Sequence, residues 1–295
     1  KVNTMEKLQN YVNGTFCVPK NNKYFDNIAP ATGEAYSQIP NSDADDVEAA
    51  VVAASEAFPI WSMMSNEERS DWMMKLANGI EQEMKTFVAA ESKDNGKPLK
   101  LAEHVDIPRA VSNFKFFATG IIHYASESHN MPGVGVNYTL RKPIGIVGCI
   151  SPWNLPLYLF TWKIAPALAA GNCVVAKPSE VTPYTAYLLC KVMDKINFPK
   201  GVLNIVHGLG QSAGDAIVRH PKIKAISFTG GTSTGKAIAT IAAPMFKKLS
   251  LELGGKNPNI IFDDCDFDEM LATTVRSSFA NQGQICLCGS RIFVQ

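Results

Sequence analysis

No stretch of this 295-residue chain is long and apolar enough to cross a bilayer as a helix, and neither sign of charge prevails. The first absence excludes a helical membrane span within these residues. With 28 Lys and Arg against 27 Asp and Glu, the net charge of +1 gives no reason to expect nucleic acid or an anionic membrane as partner. Histidine is scarce and dispersed (His104, His123, His129, His207, His220) and offers no metal-ligand pair. No Ser-His-Asp or nucleophile-elbow pattern occurs. The seven cysteines are an odd number without framework spacing, several of them inside apolar runs (Cys149, Cys173, Cys190). Reduced thiols in the cytoplasm are expected, not disulfides.

What is present is apolar: 46% of the residues, enough for a sizeable core. The length fits one large domain or two smaller ones. The first third reads as helical. Ser42-Asp43 caps a run with Val47, Val51 and Phe58 on one face. Ser65 and Glu68 form a capping-box pattern, followed at helical spacing by Trp72, Leu76, Ile80 and Met84, with an end expected near Asn95-Gly96. The clusters Trp61/Met63/Met64 and Trp72/Met73/Met74 are assigned to core packing in preference to a ligand surface. A helix over 99–125 contains Pro108, either its start or a kink.

From Leu140 onward, strand and helix alternate. Apolar runs at 144–150, 173–176, 202–206 and 225–228 read as strands, and 155–170, 183–196, 213–219 and 233–242 as helices. This predicts an α/β fold, a doubly wound parallel sheet. Residues 121–143 read as a hairpin excursion from it. A strand at 259–262 and a helix at 266–280 open a second α/β domain, placed at 255–295. The first domain is placed at 1–120 and 144–254.

Four polar or Gly-rich segments follow the strands: Ser151-Pro152-Trp153-Asn154, Lys177-Pro178-Ser179-Glu180, Gly208-Leu209-Gly210 and Thr229-Gly230-Gly231-Thr232. The carboxyl ends of parallel strands share one edge, so these loops are expected to converge on one cleft. Singly, each has a plainer reading. The spacing of Gly208, Gly210 and Gly214 is one residue too long for the dinucleotide fingerprint and suits a capped turn equally well. Thr229-Gly230-Gly231 is a phosphate cradle at a helix start or a tight turn. Lys177 and Glu180 are a surface ion pair or a grip on ribose hydroxyls, in which case the carboxylate favours NAD over NADP.

A thiol, a carboxylate and an amide complete the inventory. Cys286 lies in Asn281-Gln282-Gly283-Gln284-Ile285-Cys286, Glu252 in Leu251-Glu252-Leu253-Gly254-Gly255-Lys256, and Asn154 in the first loop above. Together they supply a nucleophile, a general base and an oxyanion donor for covalent chemistry at a carbonyl carbon. Alone, they read as an inert thiol, a solvated carboxylate and a loop cap. Cys286 and Cys288 form C-x-C, which as a metal or redox site lacks further ligands, so no metal is expected. The chain stops inside the strand pattern at Gln295, just past this thiol, and is expected to be incomplete as a functional unit.

In order and spacing, across essentially the whole chain, these motifs resemble the NAD(P)-dependent aldehyde dehydrogenase superfamily. The resemblance implies a Rossmann-like cofactor domain, an oligomerisation hairpin at 121–143 and the beginning of a catalytic domain at 255–295. It implies Cys286 as nucleophile, Glu252 as base, Asn154 as oxyanion donor, and no catalytic role for Cys288. It also implies NAD contacts at Ser151, Pro152, Trp153, Lys177, Ser179, Glu180, Gly210, Gly230, Gly231 and Leu253. Asp106-Ile107-Pro108-Arg109 looks like the muconic semialdehyde dehydrogenase group, in which Arg109 would bind a substrate carboxylate; a surface Arg is the alternative. The implied reaction is oxidation of an aldehyde to an acid, with 2-aminomuconate semialdehyde of tryptophan (kynurenine) catabolism as substrate. Retinal oxidation, or NAD binding without catalysis, are the other readings. A homo-oligomer, dimer or tetramer, is implied as well.

Overall fold

The computed structural model describes residues 5–295. Its centre is a seven-stranded sheet. Across it the strands run Lys248–Leu253, Ile223–Gly230, Ile146–Ile150, Cys173–Lys177, Leu203–Ile205, Asn10–Val12 and Thr15–Cys17. The first five are mutually parallel and the last two antiparallel. Ile146–Ile150 and Cys173–Lys177 are buried at every residue, as strands covered on both faces must be. Each fully buried Val there, Val174 and Val175, contributes roughly 1.5–3 kcal/mol by leaving water.

The chain steps outward from Ile146–Ile150 through Cys173–Lys177 to Leu203–Ile205. It then returns to the other side of its starting strand for Ile223–Gly230 and Lys248–Leu253. Right-handed crossovers therefore put helices Pro156–Ala169 and Tyr184–Lys195 on one face, and Asp215–Arg219 and Thr232–Ala242 on the other. The reversal beside Ile146–Ile150 is the switch point at which such sheets open a crevice. Gly171, at φ +81° beyond the first of these helices, takes the left-handed conformation that ends it.

Several expectations need correction. The first third is not wholly helical: besides Asn10–Cys17 it contains Tyr24–Ala29 paired antiparallel with Glu34–Pro40. The signal for the first hairpin was present, because Asn13-Gly14, both at positive φ, is the two-residue turn that joins Val12 to Thr15. The segment after Ser65 is two helices, Asn66–Gln82 and Met84–Asn95, broken at Glu83 with no Gly or Pro to mark the break. Both expected caps form, at Asp43 and at Ser65 with Glu68. Trp61 and Met73 are buried, but Met63 is 84% exposed. Two positions along a helix lie about 200° apart, so Trp61 and Met63 cannot share a face.

The expected helix around Pro108 is three pieces: Leu99–Leu101, a π-helical turn Ala102–Asp106, and Ile107–Ile122. Proline has no N–H and its ring collides with the carbonyl four residues back. The π-turn absorbs this by letting the Ile107 N–H reach the Ala102 carbonyl, five residues back. Ser128–Met131 and Gly135–Tyr138 form an exposed antiparallel hairpin, and Pro258–Ile261 pairs with Arg291–Val294 in a small parallel sheet of its own.

Candidate active site

A cavity of about 1120 Å³ opens at the carboxyl ends of the parallel strands. Ser151, Pro152, Trp153 and Asn154 line it from the strand Ile146–Ile150. Lys177, Ser179 and Glu180 line it from the next strand, Gly210 from the next, and Gly230, Gly231 and Leu253 from the last two. The separate loops thus meet at one place, as strand polarity requires.

Lys177 Nζ is buried and bonds to Glu180 Oε2 at 2.9 Å and to the Pro178 carbonyl at 2.9 Å. The Gly210 N–H reaches Glu180 Oε1 at 3.4 Å. Burial draws the Lys177 ammonium below its ordinary pKa, against the pull of Glu180. Burial alone would raise the Glu180 carboxyl, but Lys177 outweighs it and holds the group ionised below the usual carboxylate value. Behind the pair His207 is buried and kept neutral, its pKa pushed down to about 3 by burial and by Lys177.

Two features of the wall fit an anionic, hydroxyl-bearing ligand. Helix Thr232–Ala242 starts at Gly231 with no side chain capping it, so its first amides are left for a ligand, and Ser233 and Thr234 line the cavity. Ser151 Oγ is buried with no protein partner.

The loop bearing Cys286 enters from the other side. After helix Phe267–Phe279 a short 3₁₀ turn, Ala280–Gly283, carries Asn281, Gln282 and Gly283 at φ +50°, +57° and +72°. Left-handed backbone at non-glycine residues costs roughly 1 kcal/mol or more and concentrates at functional sites. Gly283, Gln284, Ile285 and Cys286 then line the cavity, with Cys286 exposed. Asn257 Nδ2 donates to the Cys286 carbonyl at 2.7 Å and the Cys288 carbonyl at 3.3 Å, and Cys288 is buried.

Asn154 reaches the same loop: its Nδ2 donates to the Gln284 carbonyl at 2.7 Å. Glu252 is exposed on Lys248–Leu253, flanked by Leu251 and Leu253, and is not part of the cavity wall. A buried cation that feels the Glu252 charge, Lys163, donates to Thr229 Oγ1 at 2.5 Å; burial lowers its pKa, while Cys149 and Glu252 pull it back up. Arg109 is also outside this cavity. It is exposed, with its guanidinium 5.5 Å from the Tyr158 ring centroid and 6.0 Å from that of Trp162. Lys163 and Asn257 carried no motif-level signal, since each matters only through a contact distant in sequence; Asn281 opened the motif of Cys286, but its bond to the Asn154 carbonyl could not be read from it.

The model of the aldehyde dehydrogenase family matches residues 17–295. The chain is 55% identical over 294 residues to the 2-aminomuconic semialdehyde dehydrogenase of Homo sapiens, covering 99% of this chain and 60% of that protein. It is 45% identical over 297 residues to a 2-aminomuconic 6-semialdehyde dehydrogenase of Pseudomonas sp., covering 99% and 60%. The NAD+ complex of an aldehyde dehydrogenase from Bacillus cereus superposes with a TM-score of 0.96 at 38% identity, over 98% of this chain and 60% of that one. The chain therefore spans about 60% of the length of the relatives it matches. It belongs to the aldehyde dehydrogenase family.

Proposed function

We propose that this chain is part of an NAD-dependent aldehyde dehydrogenase. The observation that carries the proposal is the shared cavity wall: Gly283 to Cys286 on one side, Lys177, Glu180, Gly230 and Gly231 on the other, and Ser151 to Asn154 between them. Glu180 and Lys177 hold ribose hydroxyls, with Gly210 behind them. The helix start at Gly230-Gly231 takes a phosphate, and Pro152, Trp153, Ser179 and Leu253 complete the wall. Bound NAD supplies the hydride acceptor.

Cys286 acts as thiolate on the aldehyde carbon, forming the C–S bond of a thiohemiacetal. Its oxyanion is held by the Asn154 carboxamide and the Cys286 N–H. Hydride loss from that carbon leaves a thioester on Cys286. Glu252 takes a proton from the water that hydrolyses it and returns the thiol. For this, the Asn154 amide must exchange the Gln284 carbonyl for the oxyanion, and Glu252 must face Cys286. The distinguishing test is NADH formation by this chain and by the same residues continued to the relatives' length. Turnover only in the longer chain makes this portion the cofactor half. NAD binding without turnover in both refutes the enzyme reading.

For substrate, the relatives' names favour 2-aminomuconate semialdehyde. Arg109 supports a substrate bearing a carboxylate, because no acidic side chain pairs with it among the described residues. The domain division at 1–120 with 144–254, 121–143 and 255–295 is supported by the separate small sheet at Pro258–Ile261. Val134, Val136, Tyr138 and Leu140, each more than 60% exposed, support the hairpin as a contact between subunits. The seven unpaired cysteines fit the cytoplasm. Among the described residues, no helix is long and apolar enough to cross a membrane.

A further inference from the structure

Lys97 and Asp106 form an ion pair with both side chains wholly buried; Nζ and Oδ2 are 2.5 Å apart. Such a pair is a poor stabiliser, because removing two charges from water offsets most of their attraction. Its position gives it another use. Lys97 Nζ also donates to the backbone carbonyl of Asn154 at 3.2 Å. The same carbonyl accepts Asn281 Nδ2 at 2.8 Å, while the Asn154 carboxamide donates to the Gln284 carbonyl. One peptide group thus joins the buried ammonium, the candidate oxyanion donor and the nucleophile loop.

Two neighbours reinforce the arrangement. Asp106 closes the π-helical turn ahead of Pro108, and π-turns recur at functional sites because the extra residue re-aims a side chain. Glu91, fully buried, accepts the Leu157 N–H at 3.2 Å, so the segment just beyond Asn154 is tied to the same interior.

We propose that Lys97, oriented by Asp106, is a positioning residue that aims the Asn154 carboxamide at the carbonyl-addition site of Cys286. The inference rests on the oxyanion role proposed for Asn154. Without the ammonium, the Asn154 carbonyl keeps only its link to Asn281, a residue of the nucleophile loop itself, while Asn95 still holds the preceding carbonyl, that of Trp153. The dinucleotide wall around Lys177 and Glu180 is untouched.

The test is the apolar double variant Lys97→Met/Asp106→Leu in the full chain, which avoids stranding either charge. It should melt cooperatively and bind NAD as the native protein does, while kcat falls about 10- to 100-fold, the cost of a misplaced catalytic group. In an Asn154→Ala background the same pair of changes should alter kcat by less than about twofold, since residues acting as a unit are non-additive. If the apolar pair does not melt cooperatively, the neutral hydrogen-bonding pair Lys97→Gln/Asp106→Asn carries the same expectations. A folded variant with native kcat, or an equal fall in the Asn154→Ala background, overturns the positioning role. An unchanged kcat in Asn154→Ala alone overturns the oxyanion role and this assignment with it.

Discussion

Replacing Glu180 by Gln removes one negative charge and almost no volume, so it isolates what the carboxylate does. At the 2.9 Å separation from Lys177 and an effective dielectric of about 20, the gross attraction is about 6 kcal/mol. Burying Lys177 offsets much of that, and Glu180, with its side chain 35% exposed, is partly screened. The net contribution to stability is therefore about 1–2 kcal/mol, and the variant should fold. Its amide oxygen can still accept from Lys177 and Gly210. What changes is the charge beside the proposed ribose site. The native carboxylate repels a 2′-phosphate, whereas the variant leaves the Lys177 ammonium facing it with only a neutral partner. Titrating this chain with NAD and NADP gives both dissociation constants without requiring turnover. The NAD preference should shrink at least about tenfold, equivalent to about 1.4 kcal/mol. A preference unchanged within about twofold would refute the assignment and leave the Lys177–Glu180 pair structural.

Asn154→Ala should cost about 3 kcal/mol of transition-state stabilisation, roughly 100-fold in kcat, with NAD affinity preserved; steady-state kinetics alongside an NAD titration check both parts. Glu252→Gln should slow thioester hydrolysis more than hydride release, so a burst of NADH followed by a slower steady state is expected in stopped-flow traces. Arg109→Ala should raise KM for a carboxylate-bearing semialdehyde and leave that for an uncharged aldehyde unchanged; equal effects on both would make Arg109 a surface residue. Glu91, wholly buried, has its pKa raised by burial from an ordinary 4.5 to about 8, so the fold favours its protonated form. That stability is fully present below pH 4.5 and is lost as pH rises through about 8, with a ceiling of about 5 kcal/mol at 1.36 kcal/mol per pH unit. The melting temperature of Glu91→Gln should gain on the native protein across that window; parallel melting curves would contradict the burial argument.

The parallel sheet was legible because its strands are short apolar runs separated by helical runs, the first of them closed by Gly171. From that alternation, strand polarity alone placed four loops at one edge. The antiparallel strands near the N-terminus were harder to read. Tyr24–Ala29 and Glu34–Pro40 alternate only partly between buried and exposed residues, so the turn residues around them, Asn13-Gly14 and Pro30 to Gly33, had no clear strand pattern to join. Cys286 and Asn154 stood out through their neighbours in sequence. Lys97 did not, and Asp106 and Asn281 were seen only as members of motifs, because what Lys97 and Asn281 do lies in one carbonyl, that of Asn154, reached from positions 57 and 127 residues away. The break at Glu83 and the left-handed Gln282 have no residue-type signature, since tertiary packing imposes them.

The covalent step at Cys286 is open to direct observation. The full chain, mixed with NAD and aldehyde and quenched in acid before hydrolysis completes, is digested, and its cysteine peptides are weighed and fragmented to locate the modified cysteine. The mechanism predicts an acyl adduct on the peptide carrying Cys286, accumulating further in Glu252→Gln and absent without NAD. An adduct on Cys288 in its place, or turnover with no adduct on any cysteine in either protein, would contradict it.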